Sequence, residues 1–318
     1  MAFLIGLDEA GYGPTLGPLV VAATSFRFEE AGSPDPGDLW TLLSRSVTRQ
    51  PRRGDRRIPI ADSKVIFSPH KGLSNLEEAV LAATLASRPV PTASLPGLLG
   101  LDAVEEDSQY PWYRHSSCRL PIEGDLLRIR PRSDRLAADL DRQGGAYLGA
   151  HVLSIEAGEF NQGLVGEGNK SVVLFAAWSR LLRRCLDSVR DEPVRVMADR
   201  HGGRKSYLPL LRRYLDDLEP RRVREEVERS EYTLAGGRVR IVFQVRAETE
   251  SLPVALASMI AKYVREVRMG LFNRFWASRI EDLRPTSGYP VDARRFLSDI
   301  RPSLRALRIP RARLVRGS

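Results

Sequence analysis

Cysteine is nearly absent from this 318-residue chain: Cys118 and Cys185 are the two present, and neither has a second ligand nearby at metal-site spacing. That excludes a disulfide framework and a zinc centre, and it suits a reducing, cytoplasmic setting. Long apolar runs are missing too, so no segment reads as a membrane span. Residues Met1 to Leu7 lack a basic start and run straight into acidic residues, which reads as a first strand and not as a leader. Lysine is scarce, five among 49 basic residues, and no repeat or low-complexity stretch is evident.

What is present is an ordinary globular composition, 42% hydrophobic and 28% charged, with a net charge of +9. The length allows one large domain or two small ones with a full core. The arginine excess has a trivial reading in a GC-rich genome. Its physical consequence is the same either way: a field that attracts phosphates and releases counterions on contact.

Residues 3–7 and 19–27 read as paired strands separated by glycine and proline. An arginine-rich stretch over 43–57 reads as an exposed loop. Ser74 caps a helix from Asn75 to about Ala86, and residues 89–165 show no strong period, which predicts an irregular insertion. From Lys170 the pattern tightens. Val172 to Leu186 is amphipathic, Val194 to Ala198 is a short buried strand ending at Asp199, and Tyr207 to Leu218 is helical. Arg221 to Val227 and Val239 to Val245 read as strands, and a long apolar helix runs from Pro253 to about Ile280. Alternation of this kind predicts an α/β sheet flanked by helices.

The chemistry gathers at acids. Asp8 and Glu9 sit side by side at the end of the first apolar strand, followed at once by Gly11, Tyr12 and Gly13. Two neighbouring carboxylates there are no packing choice, because buried and unpaired they cost several kcal/mol or shift their pKa values. A divalent cation between them is one economical answer, and hard cations such as Mg²⁺ take oxygen ligands. Solvated acids on a polar turn are the plain alternative. Asp199, again at a strand end, and Glu248, before the long helix, extend the set. Four carboxylates brought together would repel strongly without metal.

The stretch Ile5-Gly6-Leu7-Asp8-Glu9-Ala10-Gly11-Tyr12-Gly13-Pro14 resembles the first motif of the type 2 ribonucleases H, the family of ribonucleases HII and HIII. Four further segments are similar to that family in order: Ala61-Asp62-Ser63-Lys64, Gly168-Asn169-Lys170, Val196-Met197-Ala198-Asp199, and Ala247-Glu248 leading into an Ala- and Ser-rich helix with Ala261-Lys262. Pro285 to Pro290, containing Gly288-Tyr289, resembles the C-terminal segment of ribonuclease HII. Together they cover roughly residues 1–75 and 165–300. The resemblance implies a ribonuclease H-like mixed β-sheet flanked by helices, with the insertion 89–165 inside a catalytic domain of residues 1–300, a helical C-terminal part, and a basic tail over 301–318. It implies two Mg²⁺ or Mn²⁺ ions held by Asp8, Glu9, Asp199 and Glu248, with Asp8 bridging, and cleavage of the RNA strand of RNA–DNA hybrids. The expected partner is such a hybrid or a ribonucleotide-containing duplex, with no membrane and no obligate protein partner.

Substrate contacts implied by the motifs are Gly11, Tyr12, Gly13, Lys64, Asn169, Lys170, Arg200, Arg204 and Tyr289. For Arg200, Arg204 and Lys205 a basic turn remains an equal reading, and His201 reads as structural and not as a proton shuttle. Ser258 reads as helix packing and Lys262 as a support for the acids. The arginine-rich run from Arg301 to Arg316 either grips a backbone or is solvated. Two departures stand out: Tyr12 replaces the usual Arg or Lys of ribonuclease HII, and Glu248 follows the HIII pattern, although the N-terminal domain typical of HIII has no counterpart here. A binding module that has lost hydrolysis, and a nuclease for branched or damaged DNA, are the competing readings of the same fold.

Overall fold

The computed structural model describes residues 1–29, 38–52, 54–68, 70, 72–87, 110–114, 119–189 and 191–317. Its centre is a seven-stranded sheet built from β1 (Ala2–Ala10), β2 (Leu19–Phe28), β5 (Gly145–Ile155), β6 (Val194–Asp199), β7 (Arg221–Glu225), β8 (Arg229–Leu234) and β9 (Val239–Gln244). A parallel pair of two-residue strands, β3 (Val47–Thr48) within the arginine-rich stretch and β4 (Ile58–Pro59) just after it, forms a separate small sheet. The strand order is β5-β2-β1-β6-β9-β8-β7. β2 is antiparallel to β1 and to β5, whereas β6 is parallel to β1 and β9 is parallel to β6. The mixed sheet flanked by helices that the sequence predicts is therefore present.

Eleven helices accompany it among the described residues: α1 (Leu39–Leu42), α2 (Ser63–Ile66), α3 (Ser74–Ser87), α4 (Leu126–Arg142), α5 (Ala157–Glu167), α6 (Lys170–Asp187), α7 (Leu208–Tyr214), α8 (Ala247–Glu250), α9 (Leu252–Ala277), α10 (Pro290–Asp299) and α11 (Arg301–Ala306). Side chains alternate across a strand, and β1 shows the consequence. Phe3, Ile5 and Leu7 join a core with Leu174, Trp178 and Leu181 of α6. Leu4 faces the opposite core, made with Val80 of α3, Leu136 of α4 and Leu256 of α9. A third cluster, Leu16, Trp112, Met269, Phe272, Trp276, Phe296 and Leu314, ties the C-terminal helices to the far end of α9.

Four expectations need correction. Within 89–165, positions 89–109 and 115–118 (Cys118 among them) lie outside the described residues, but the rest is not irregular. It supplies α4, the sheet strand β5 paired along the length of β2, and most of α5. Pro131 inside α4 and Gly145 and Gly149 in β5 disguise the periodicity. The helix expected over Tyr207 to Leu218 ends at Tyr214 and gives way to a 3-10 turn, and strand β8 had no forecast. The arginine-rich stretch is not wholly loop, since it carries β3 at Val47–Thr48. The basic tail folds back as well: α11 is followed by a 3-10 turn at Arg311–Arg313, Leu314 is buried, and Val315 bridges to Leu16.

Candidate active site

Three parallel strands, β1, β6 and β9, end at the same edge of the sheet. Because Leu7 pairs with Ala198, Asp8 and Asp199 follow level with each other on neighbouring strands. Asp199 is in register with Gln244, the last residue of β9, and three residues later the chain enters α8, which carries Glu248. The turn between them places Arg246 in the left-handed region, φ 57°, a conformation few side chains adopt. An Asp199 carboxylate oxygen accepts the Ala247 amide at 3.0 Å, so the third acid fixes the start of the helix that presents the fourth.

The packing that brings α9 over this edge depends on Gly6. A Cβ there would lie 2.2 Å from the Pro253 carbonyl carbon and 2.3 Å from the Val254 nitrogen. The buried Thr24 hydroxyl donates to the Pro253 carbonyl at 2.7 Å and fastens the helix start to β2. Asp8, two residues beyond Gly6 on the same face, then meets Ser258 of α9, whose hydroxyl bonds its carboxylate. Ser258 and Ser63 are also 3.3 Å apart, oxygen to oxygen. The reading of Ser258 as packing alone is therefore incomplete. Lys262 does not support the acids: its ammonium pairs with Glu266 at 2.8 Å and lies over the Phe67 ring.

Electrostatics show how closely the four acids share a space. Burial, then the charges of Asp199 and Glu248, push the Asp8 carboxyl up to about 8, against the Ser258 hydrogen bond. Glu9 is raised well above the usual range by burial and by Asp8 and Asp199, and its carboxyl hydrogen-bonds that of Asp8. Asp199 is raised by burial despite amide hydrogen bonds from Ala247, Arg200 and Arg246. Glu248 is raised by burial, by Asp199 and by Asp62, a neighbour whose part the motif comparison overlooked. Lys64 of α2 works in the other direction, lowering both Asp199 and Glu248.

The donor set is all oxygen, and the buried Oε2 of Glu248 has no hydrogen-bond partner. Buried acceptors without partners are rare and call for an explanation, and a hard divalent cation is one that suits this chemistry. Among the described residues no three acidic, histidine or cysteine side chains already meet as a closed metal shell. The acids are coupled neighbours, not a formed coordination sphere.

The glycine loop beside them is braced from below. Gly11 has φ 90°, and a Cβ on it would meet Arg265 Nε at 2.5 Å and the Pro18 carbonyl at 2.6 Å. Buried Arg265 donates to the Leu16 and Ser287 carbonyls. Buried Arg316, from the folded-back tail, donates to the Gly11 and Pro14 carbonyls. Burial, then the charge of Arg265, pushes the Arg316 guanidinium down to about 10. That run of arginines is thus partly internal, an outcome its composition did not reveal.

The remaining motif residues divide between the loop and a neighbouring cleft. Tyr289 caps α10 in an exposed position, with its ring edge 3.8 Å from where a Gly13 Cβ would lie. Tyr12, Asn169, Lys170 and Arg204 line a cleft of about 440 Å³. The Lys170 ammonium stands 5.1 Å from the Tyr12 ring centre, and Arg204 donates to the Ser171 hydroxyl at 2.8 Å. Asn169 caps α6 by accepting the Ser171 amide at 2.8 Å. Arg200 braces the turn through the Arg204 and Val227 carbonyls, which supports the basic-turn reading for that residue.

His201 is buried among Phe175, Trp178, Tyr207 and Phe243, with ring centres 5.7 to 6.3 Å away. Burial pushes its imidazole down to about 3. It stays neutral through the range in which histidine normally switches. His201→Phe is expected to leave the shape of the pH–rate profile between about pH 5 and 8 unchanged. Loss of a limb in that profile would restore a proton-transfer role.

The chain is similar at low identity to solved structures. A variant of Bst ribonuclease HIII is 17% identical, with a TM-score of 0.46 over 95% of this chain and 62% of its own. The PCNA–ribonuclease HII complex from Archaeoglobus fulgidus contains a chain 16% identical, with a TM-score of 0.42 over 99% of this chain and 93% of its own. Bst ribonuclease HIII in complex with Mn²⁺ is 18% identical, at 0.43 over 96% and 62%. This chain thus spans less than two thirds of the Bst proteins. No protein-family model matches the sequence, and neither does any curated protein. Among the described residues no helix is long and apolar enough to cross a membrane.

Proposed function

We propose that this protein is a divalent-metal-dependent endoribonuclease of the type 2 ribonuclease H kind, acting on the RNA strand of RNA–DNA hybrids. The observation that carries the reading is the convergence of Asp8, Glu9, Asp199 and Glu248 at one sheet edge, where burial raises all four and neighbouring acids raise Asp8, Glu9 and Glu248 further, beside an unpartnered buried carboxylate oxygen. The motif order along the chain supports it independently. Asp8, level with Asp199, would hold the divalent ions together with Glu9, Asp199 and Glu248, the ions being Mg²⁺ or Mn²⁺. Such ions activate water and stabilise the leaving oxygen of a phosphodiester.

The chain's own residues supply orientation. Ser258 holds Asp8, the α8 backbone holds Asp199, and exposed Lys64 offers an ammonium to a phosphate oxygen beside them. In this reading the backbone amides of the glycine loop donate to 2′-hydroxyls, the group that distinguishes RNA from DNA. Tyr12 offers one hydroxyl and a ring face, where an arginine would offer several fixed donors.

The decisive assay compares a labelled hybrid, a duplex with one embedded ribonucleotide, and plain DNA, each with Mg²⁺ or Mn²⁺. Runs of several ribonucleotides are expected to be cut with kcat/KM roughly tenfold above the single ribonucleotide, and plain DNA not at all. A strong preference for the single ribonucleotide would reverse the assignment of Tyr12, and cleavage of none of the three would refute the nuclease reading.

A further inference from the structure

A groove of about 960 Å³ is lined by the β3–β4 connection, by Val65 and Ile66 of α2 and by α4. Six arginines line it against two carboxylates, Asp55 and Glu78. Half of those arginines are structural. Arg57 grips Asp55 at 2.8 Å, Arg132 pairs with buried Glu78 at 2.9 Å and reaches the Asp55 carbonyl, and Arg135 donates to the Arg56 carbonyl. They tie the connection to α4 and neutralise both acids. Arg52 and Arg56 are left exposed with no side-chain partner among the described residues, and Arg128, 67% exposed, is 3.9 Å from the already paired Glu78. Among the described residues the lining holds no aromatic ring.

Position gives this groove its meaning. α2 is a four-residue helix: Lys64 acts on Asp199 and Glu248, while the next two residues, Val65 and Ile66, form the groove wall. A polyanion held by Lys64 would therefore lie beside the wall of a groove that offers three guanidiniums on a braced scaffold. Guanidinium matches phosphate geometry, and walls without aromatic groups favour backbone contact over base stacking.

We propose that this groove is the track for the phosphodiester backbone of the nucleic-acid substrate as it leaves the acid cluster. The inference rests on the nuclease reading above. It adds a second contact region that makes affinity depend on substrate length and not on sequence.

The test is metal-free fluorescence anisotropy on the full chain, with two hybrids. One spans only the acid cluster, and the other is a helical turn longer. Changing Arg52, Arg56 and Arg128 together to serine should weaken binding of the long hybrid roughly tenfold or more and lower the slope of log K against log salt by about three. Binding of the short hybrid should change by less than about twofold. The same three positions as lysine should restore most of the affinity, which separates lost charge from lost folding. Equal effects on both lengths, or none on the long hybrid, would overturn the proposal. So would an acidic polypeptide that displaces the hybrid from the wild type through these arginines, since the groove would then belong to a protein partner. Cleavage assays on the wild type report on the nuclease reading separately, so the two ideas fail independently.

Discussion

Asp8→Asn should abolish hybrid cleavage, by about a thousandfold or more, and at the same time make the metal-free protein more stable. The two effects share a cause. The Asp8 carboxyl is raised to about 8 from an ordinary 3.8, so between those two values the folded state holds a proton that the unfolded chain has released. Stability is then highest near pH 4 and falls as pH rises towards 8, because the unfolded chain binds fewer protons throughout that window. Glu9, Asp199 and Glu248 are raised in the same direction and add to the fall. Removing one charge from the set relieves repulsion and should recover a few kcal/mol at pH 8. Thermal denaturation of wild type and variant from pH 4 to 8, with and without Mg²⁺, tests this. The wild type should be stabilised by Mg²⁺ far more at pH 8 than at pH 5, and the variant much less at either. Near-normal turnover in Asp8→Asn with unchanged metal dependence would show that the acids are not the active centre.

Gly6→Ala is the second large effect, and it acts through backbone alone. The added methyl would sit 2.2 Å from a backbone carbon of α9, where no side chain can swing aside. Either the sheet or the 26-residue helix must move, at a cost of about 3 kcal/mol or more. The same displacement carries Ser258 off Asp8 and Glu248 away from Asp199, so activity should fall by more than the loss of folded protein explains. Circular dichroism melting together with kcat per folded molecule separates the two. A variant with wild-type melting and wild-type rate would show that α9 does not rest on β1 at this point.

Much of this was legible in the chain itself. The acids, the glycine loop, the Lys64 loop and the helix-opening Asn169 carry local signals, because strand ends, turns and caps restrict residue types within a few positions. The apolar period of α6 and the long run of α9 likewise needed only neighbours three and four residues away. β5 escaped because glycines at 145 and 149 and a register shift opposite Ser25 and Phe26 erase the alternation of an ordinary strand. What makes it a strand is β2, more than 120 positions earlier, offering a full edge of hydrogen-bond partners. β8 escaped similarly, its buried Ser230 and Glu231 reading as surface. Glu231 is in fact held by Arg224, Arg229 and Arg240 on its own and both adjoining strands.

The sequence by itself singled out acids as the candidate chemistry and named which four carboxylates to suspect. Tertiary structure alone decided that they meet. Their convergence comes from parallel pairing of β1, β6 and β9, a long-range register in which Asp8 and Asp199 become level although 191 positions apart. It also decided the fate of the arginines, which composition treats alike. Arg265 and Arg316 are buried to brace a glycine loop, Arg57 and Arg132 are paired within a scaffold, and Arg52 and Arg56 are left facing a groove. Charge is a property of the residue, but whether it is neutralised, buried or offered to a partner depends on what the fold brings within a few ångströms of it.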